Sequence, residues 1–235
     1  MKLSALSTGA VALLLALSGP ASAATLTVGA LTDIWLAGQP DGSSITGFFG
    51  SDTAPDNSPV LVAVTAGQAL RFAASGSTSV DASCFAGPNG GCYADESSFG
   101  VGPDNGVGTY KGPSNALIGV FVGSTQPSGT GAPASLDYTD ANNLSLPSNA
   151  PALGQIFVIG DGLTASSTVK QFVAPAGATR LFLAVADSYG SSTGNVGSLD
   201  VSVSAVPEPA SALLMLGGLV GLGLRARRRG AVSAG

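Results

Sequence analysis

Leu199-Asp200-Val201-Ser202-Val203-Ser204 alternates an apolar with a polar side chain at every step. A period of two puts Leu199, Val201 and Val203 on one face of an extended chain and the polar residues on the other, the pattern of a half-buried strand. The signature recurs backwards along the sequence. Short runs enriched in β-branched residues and bounded by Gly, Pro, Asn and Asp predict strands near 25–29, 34–37, 60–64, 69–74, 116–122, 155–159, 168–173, 180–186 and 198–204. Arg71 and Phe72 fall on opposite faces of one of them. No stretch carries the periodicity of a long amphipathic helix. The expected fold is therefore all-β, an antiparallel β-sandwich whose inner faces form the core.

The two ends of the 235-residue chain differ from this body. Met1-Lys2 precedes a short apolar stretch, 11–17, then Pro20 and Ala21-Ser22-Ala23. A basic start, an apolar centre and a small-residue site predict a signal peptide over 1–23, cut after Ala23. The body, 24–205, has the length of one domain with a core of its own.

The other end reads Val206-Pro207-Glu208-Pro209-Ala210-Ser211, an apolar run through Leu224, and then Arg225-Ala226-Arg227-Arg228-Arg229. The run predicts a C-terminal hydrophobic helix, shorter than the about 20 apolar residues a spanning helix wants. The arginines belong on the cytoplasmic side. Residues 206–229 resemble the PEP-CTERM sorting signal of Gram-negative bacteria, in which a Pro-Glu-Pro motif precedes a transmembrane helix and a basic end; 230–235 form a short tail. The resemblance implies processing by an exosortase at the inner membrane, with Pro207, Glu208 and Pro209 as the sorting motif. The expected destination is the cell surface or extracellular matrix.

Net charge is -5, and the body is more acidic than that figure suggests. It holds only Arg71, Lys111, Lys170 and Arg180 against thirteen carboxylates from Asp33 to Asp200. That excludes the basic footprint needed for nucleic acid. The chain has no histidine, so Ser-His-Asp and Cys-His nucleophile systems are excluded and the usual zinc sites lose a main ligand. Cys84 and Cys92 flank Gly87-Pro88-Asn89-Gly90-Gly91, and in an exported chain they predict a disulfide.

Long irregular segments are expected at 39–58, 81–114 and 123–153, and loops of this length are commonly functional or mobile. A shorter one, between the last two strands, concentrates oxygen atoms: Asp187, Ser188, Ser191, Ser192, Thr193 and Asn195. Carboxylate, amide and backbone oxygens at such spacing suit a hard cation such as calcium. The same residue types are also the default formers of turns.

Gly177-Ala178-Thr179-Arg180-Leu181-Phe182-Leu183-Ala184-Val185-Ala186-Asp187, followed by Tyr189-Gly190, Asn195 and Gly197-Ser198, resembles the C-terminal hairpin of calcium-dependent galactose-binding bacterial lectins. The segments 60–80 and 114–120 are similar to further strands of that family. The resemblance implies a jelly-roll-like sandwich and a calcium held by Asp187, Ser191, Asn195 and the carbonyl of Val80. It implies carbohydrate contacts from Asp187 and Asn195. The first Asn of the family's calcium-binding pair falls here on Gly194, and the family's sugar-contacting histidine has no counterpart.

Sugar binding also wants an aromatic platform. Trp35, in an apolar run, is expected in the core; Tyr93 and Tyr110 are expected at the surface, with Tyr138 and Tyr189 as further candidates. A glycosidase needs two carboxylates about 5–10 Å apart, and Asp95, Glu96, Asp104, Asp137 and Asp140 show no spacing that selects a pair. The expectation is a non-catalytic exported protein binding exopolysaccharide or another glycan with calcium assistance. The alternatives are a purely structural biofilm matrix protein without a defined ligand, and a secreted polysaccharide hydrolase.

Overall fold

The computed structural model describes residues 23–93, 102–129 and 131–206. The signal peptide, the Pro-Glu-Pro motif, the C-terminal apolar run, the Arg cluster and the tail lie outside the described residues, as do Asp95 and Glu96. Among the described residues no helix is long and apolar enough to cross a membrane.

The body is mostly β. In chain order the strands are β1 Ala24–Gly29, β2 Ser44–Thr46, β3 Ser51–Thr53, β4 Val60–Ala63, β5 Ala69–Ser79 and β6 Leu117–Val122. They continue with β7 Ser148–Asn149, β8 Ile156–Val158, β9 Gln171–Val173, β10 Arg180–Val185 and β11 Val196–Ala205. One sheet has the order β1-β11-β5-β9-β7, a second β4-β10-β6-β8, and β2-β3 stand as a separate hairpin. The ladders are antiparallel except the two-residue pair of β7 with β9, a departure from the purely antiparallel expectation.

The alternating stretch lies in β11, at the centre of its half of the first sheet. Leu199 pairs with Val28 on one side and Gly76 on the other, and Val201 with Leu26 and Ala74. Leu199 and Val201 are fully buried, whereas Asp200 faces outward and accepts a hydrogen bond from Thr27 Oγ1 at 3.2 Å. Side-chain alternation thus becomes a buried and a solvated face.

The core lies between the two larger sheets. A row of rings crosses it: Phe72 of β5 meets Phe172 of β9, which stacks on Phe157 of β8, which stacks on Phe121 of β6, with centroids 5.1–5.4 Å apart. Such pairs add about 0.5–1.5 kcal/mol each beyond their burial. In the second sheet β6, β8 and β10 are buried on nearly every residue, Leu117–Val122 and Ile156–Val158 throughout, whereas β4 at the edge alternates between half-buried and exposed.

Two local readings are corrected. The run expected as a strand at 34–37 contains a 3-10 turn, Ile34–Leu36, started by Asp33, whose side chain accepts from Trp35 N at 2.8 Å. A wholly buried apolar run has no period to read, and the Asp before it is a cap. The segment 123–153, expected as irregular, contains the short helix α1 Ala141–Leu144, capped by Asp140.

Candidate functional site

The last two strands of the chain belong to different sheets, so the loop from Asp187 to Asn195 must cross from one to the other. Its first and last residues are tied together. Asn195 Nδ2 donates to Asp187 Oδ2 at 2.7 Å and to the carbonyl of Ala30 at 3.1 Å. Asp187 Oδ1 accepts from Ser188 N at 2.6 Å. Asn195 is 5% exposed and its amide nitrogen is fully used, yet among the described residues its Oδ1 has no hydrogen-bond partner. An acceptor buried without a donor is costly. A cation or a hydroxyl from outside the chain would satisfy it.

Beside this pair opens a cleft of about 380 Å³, lined by Phe49, Val80, Asp81, Tyr93, Asp187, Ser188, Ser191 and Gly194. The volume falls within the roughly 300–1,000 Å³ usual for small-ligand sites. Four separate stretches build it: the β2–β3 hairpin, the end of β5, the disulfide loop and the 187–195 loop. Cys84 and Cys92 are bonded, with Cα atoms 5.9 Å apart. Tyr93 follows directly. Its backbone pairs with Ser114, and its hydroxyl donates to Asp81 Oδ2 at 3.1 Å. Asp81 also accepts from Ser83 N, Cys84 N and Ser79 Oγ. Hydrogen bonds from Ser83, side chain and backbone, hold the Asp81 carboxyl well below the usual carboxylate range, so it is ionised at neutral pH.

On its other side the same loop leans on a second pair of carboxyls, Asp33 and Asp52, 2% and 0% exposed. Asp52 accepts from Ser192 N and Thr193 Oγ1, both at 2.8 Å, and Asp33 from Trp35 N at 2.8 Å and Gly190 N at 3.2 Å. Asp52 lies close enough to Asp33 to favour its protonated form. Burial pushes the Asp33 carboxyl well above the usual carboxylate range; the Trp35 N–H opposes this and the Asp52 charge adds to it. The pair clamps the β2–β3 hairpin to the loop. Gly47 is required there, because a Cβ would lie 1.5 Å from the Tyr189 carbonyl oxygen.

Residues 205–229 match the PEP-CTERM protein-sorting motif. That motif implies export and processing by an exosortase, with a surface destination. No curated protein matches the chain. A solved structure described as the EclA N-terminal domain, a PllA-like lectin, is similar at 15% identity and a TM-score of 0.37, over 77% of this chain and 95% of that one.

Of the residues singled out in sequence, Val80, Asp187 and Ser191 line one cleft, and Asn195 is bonded to Asp187 behind it. Gly194 also faces the cleft and supplies no side-chain oxygen. Among the described residues no group of three Asp, Glu, Cys or His side chains is gathered for a metal. Calcium takes 6–8 oxygens. Here Asp187, the orphaned Asn195 Oδ1, the Ser191 hydroxyl and the Val80 carbonyl would supply part of that shell.

Tyr189 does not line the cleft. Its ring lies edge-on to Trp35 with centroids 5.5 Å apart, and its hydroxyl donates to Asp104. Burial, with the Asp104 hydrogen bond, pushes its phenol above the usual range. Tyr110, expected at the surface, is 1% exposed and donates to the Pro113 carbonyl at 2.6 Å. Tyr138 is buried and so is Trp35, the latter as expected. Tyr93, 45% exposed, remains the aromatic candidate at the site. Phe49 and Asp81 were missed. Asp81 carried a signal, an Asp at a strand end two residues before Ser83; Phe49 carried none.

Proposed function

We propose that this exported, exosortase-sorted protein binds carbohydrate through the cleft at the 187–195 loop, with calcium bridging protein and sugar. One observation carries the reading: the buried Asn195 Oδ1 lacks a donor, and the amide nitrogen of the same side chain bonds the Asp187 carboxylate, which lines a cleft with Ser191 and Val80. A hard cation would satisfy that oxygen. A calcium with an incomplete protein shell can exchange water for two sugar hydroxyls. We take the body as jelly-roll-like and non-catalytic, and the 24–205 stretch as the mature domain after cleavage at Ala23. The glycan would be an exopolysaccharide or another surface glycan.

The matrix-protein reading without a ligand has its own support. Asn195 Nδ2 ties Asp187 to Ala30, a bond that closes the loop with no cation at all. A glycan array probed in calcium and again in chelator separates the two. Calcium-assisted recognition predicts binding that the chelator abolishes; an array blank under both conditions leaves the structural reading.

A further inference from the structure

Two exposed aromatic side chains stand around the cleft, on elements that hold them in place. Phe49 is 63% exposed and Tyr93 45%. Both line the cleft together with Asp187 and Ser191. Exposed rings of this size are ordinarily scattered singly; rings gathered at one cleft mark a contact surface.

Their supports differ. Phe49 sits at the tip of the β2–β3 hairpin and packs edge-on against Phe48, with centroids 4.8 Å apart. The hairpin itself cannot slide. Gly47 N bonds the Gly50 carbonyl across the tip, the Gly47 backbone presses on Tyr189, and Asp52 fixes β3 to Ser192 and Thr193. Tyr93 is held by its neighbour's disulfide, by Ser114 and by Asp81. Each ring is therefore presented to solvent from a fixed base, which keeps the entropy cost of binding low.

We propose that Phe49 and Tyr93 form an aromatic wall that packs against the C–H face of a pyranose while the sugar's hydroxyls meet the Asp187–Ser191 floor. A pyranose has this two-sided chemistry: a patch of ring C–H groups on one face and hydroxyls around its edge. The floor alone would accept any vicinal diol. The wall makes the site select among sugars by which face is free of axial hydroxyls. Phe48, 80% exposed, supports Phe49 from outside the cleft.

This deepens the carbohydrate reading and rests on it, and the test keeps the two apart. The full chain is titrated in calcium with methyl α-D-galactopyranoside, methyl α-D-glucopyranoside and methyl α-D-mannopyranoside, and Phe49→Ala, Phe49→Trp, Tyr93→Leu and Asp187→Asn are compared. Phe49→Ala is expected to weaken the best of the three by about three- to tenfold, the range of one aromatic contact. Phe49→Trp should restore it, and the unfolding midpoint should stay unchanged because the side chain is exposed. Tyr93→Leu should weaken it similarly, and Asp187→Asn should remove it. If Phe49→Ala and Tyr93→Leu each cost less than twofold while Asp187→Asn abolishes binding, the wall is overturned and the carbohydrate site stands. If no pyranoside binds the wild type, both fall.

Discussion

The 187–195 loop touches acidic side chains on two sides, and the two sites are built on opposite principles. Asp33 and Asp52 are sealed in. Every carboxyl oxygen there has a donor: Trp35 N, Gly190 N, Ser192 N and Thr193 Oγ1. Nothing is left for a ligand, and the result is a clamp. Asp187 lines an open cleft, and Asn195, bonded to it from behind, has a buried oxygen left over. The same residue types thus hold the fold together in one place and leave chemistry unfinished in the other. What separates them is the balance of donors against acceptors.

The contrast breaks most sharply at the clamp. Asp52→Ala leaves Ser192 N and Thr193 Oγ1 without their acceptor and is expected to cost about 3 kcal/mol. Urea unfolding near pH 5 measures it. The corresponding change in the open site, Asp187→Ala, should cost clearly less without calcium, and an equal loss at both positions would erase the distinction.

Gly194→Asn sharpens the comparison from the other side. A Cβ at Gly194 meets nothing within 4 Å, and Gly194 is not among the glycines with positive φ, so the side chain enters open space. It adds an oxygen where the cleft lacks one. Calcium affinity is expected to rise by about tenfold, equivalent to roughly 1.4 kcal/mol; calorimetry with calcium alone reads it.

The smallest effect is one of pH. The Asp33 carboxyl titrates higher in the folded chain than unfolded, where an aspartate lies near 3.9. The folded state therefore binds more protons over that window. Its stability is full below about pH 4 and declines as pH rises through the folded value. Asp33→Asn should flatten this decline. A urea midpoint that falls equally from pH 4 to pH 8 in both proteins would show that Asp33 does not carry it.

The strands were legible where burial is one-sided. Leu199, Val201 and Val203 alternate with polar residues because β11 has one wet face. The turn at Ile34–Leu36 was not, since burial all round leaves no period. The β2–β3 hairpin escaped because Ser-Ile-Thr and Ser-Asp-Thr are too short and polar to signal a strand, and the Ser192 N–H that bonds Asp52 lies 140 residues away in sequence. That Asp187 and Asn195 share one loop was readable; the hydrogen bond between them was not. Phe49, reaching the same cleft from far along the chain, had no local mark. Tyr110 misled for the complementary reason: its place in a long loop reads as surface, while its ring is buried.

The central claim is that the open site is completed by a cation and the closed one is not. Thermal unfolding of wild type, Asp187→Asn and Asp33→Asn across a calcium series tests it. Calcium at about a hundred times its dissociation constant should stabilise wild type and Asp33→Asn by roughly 2.7 kcal/mol, and Asp187→Asn not at all. A calcium response absent from wild type, or unchanged in Asp187→Asn, would contradict the claim.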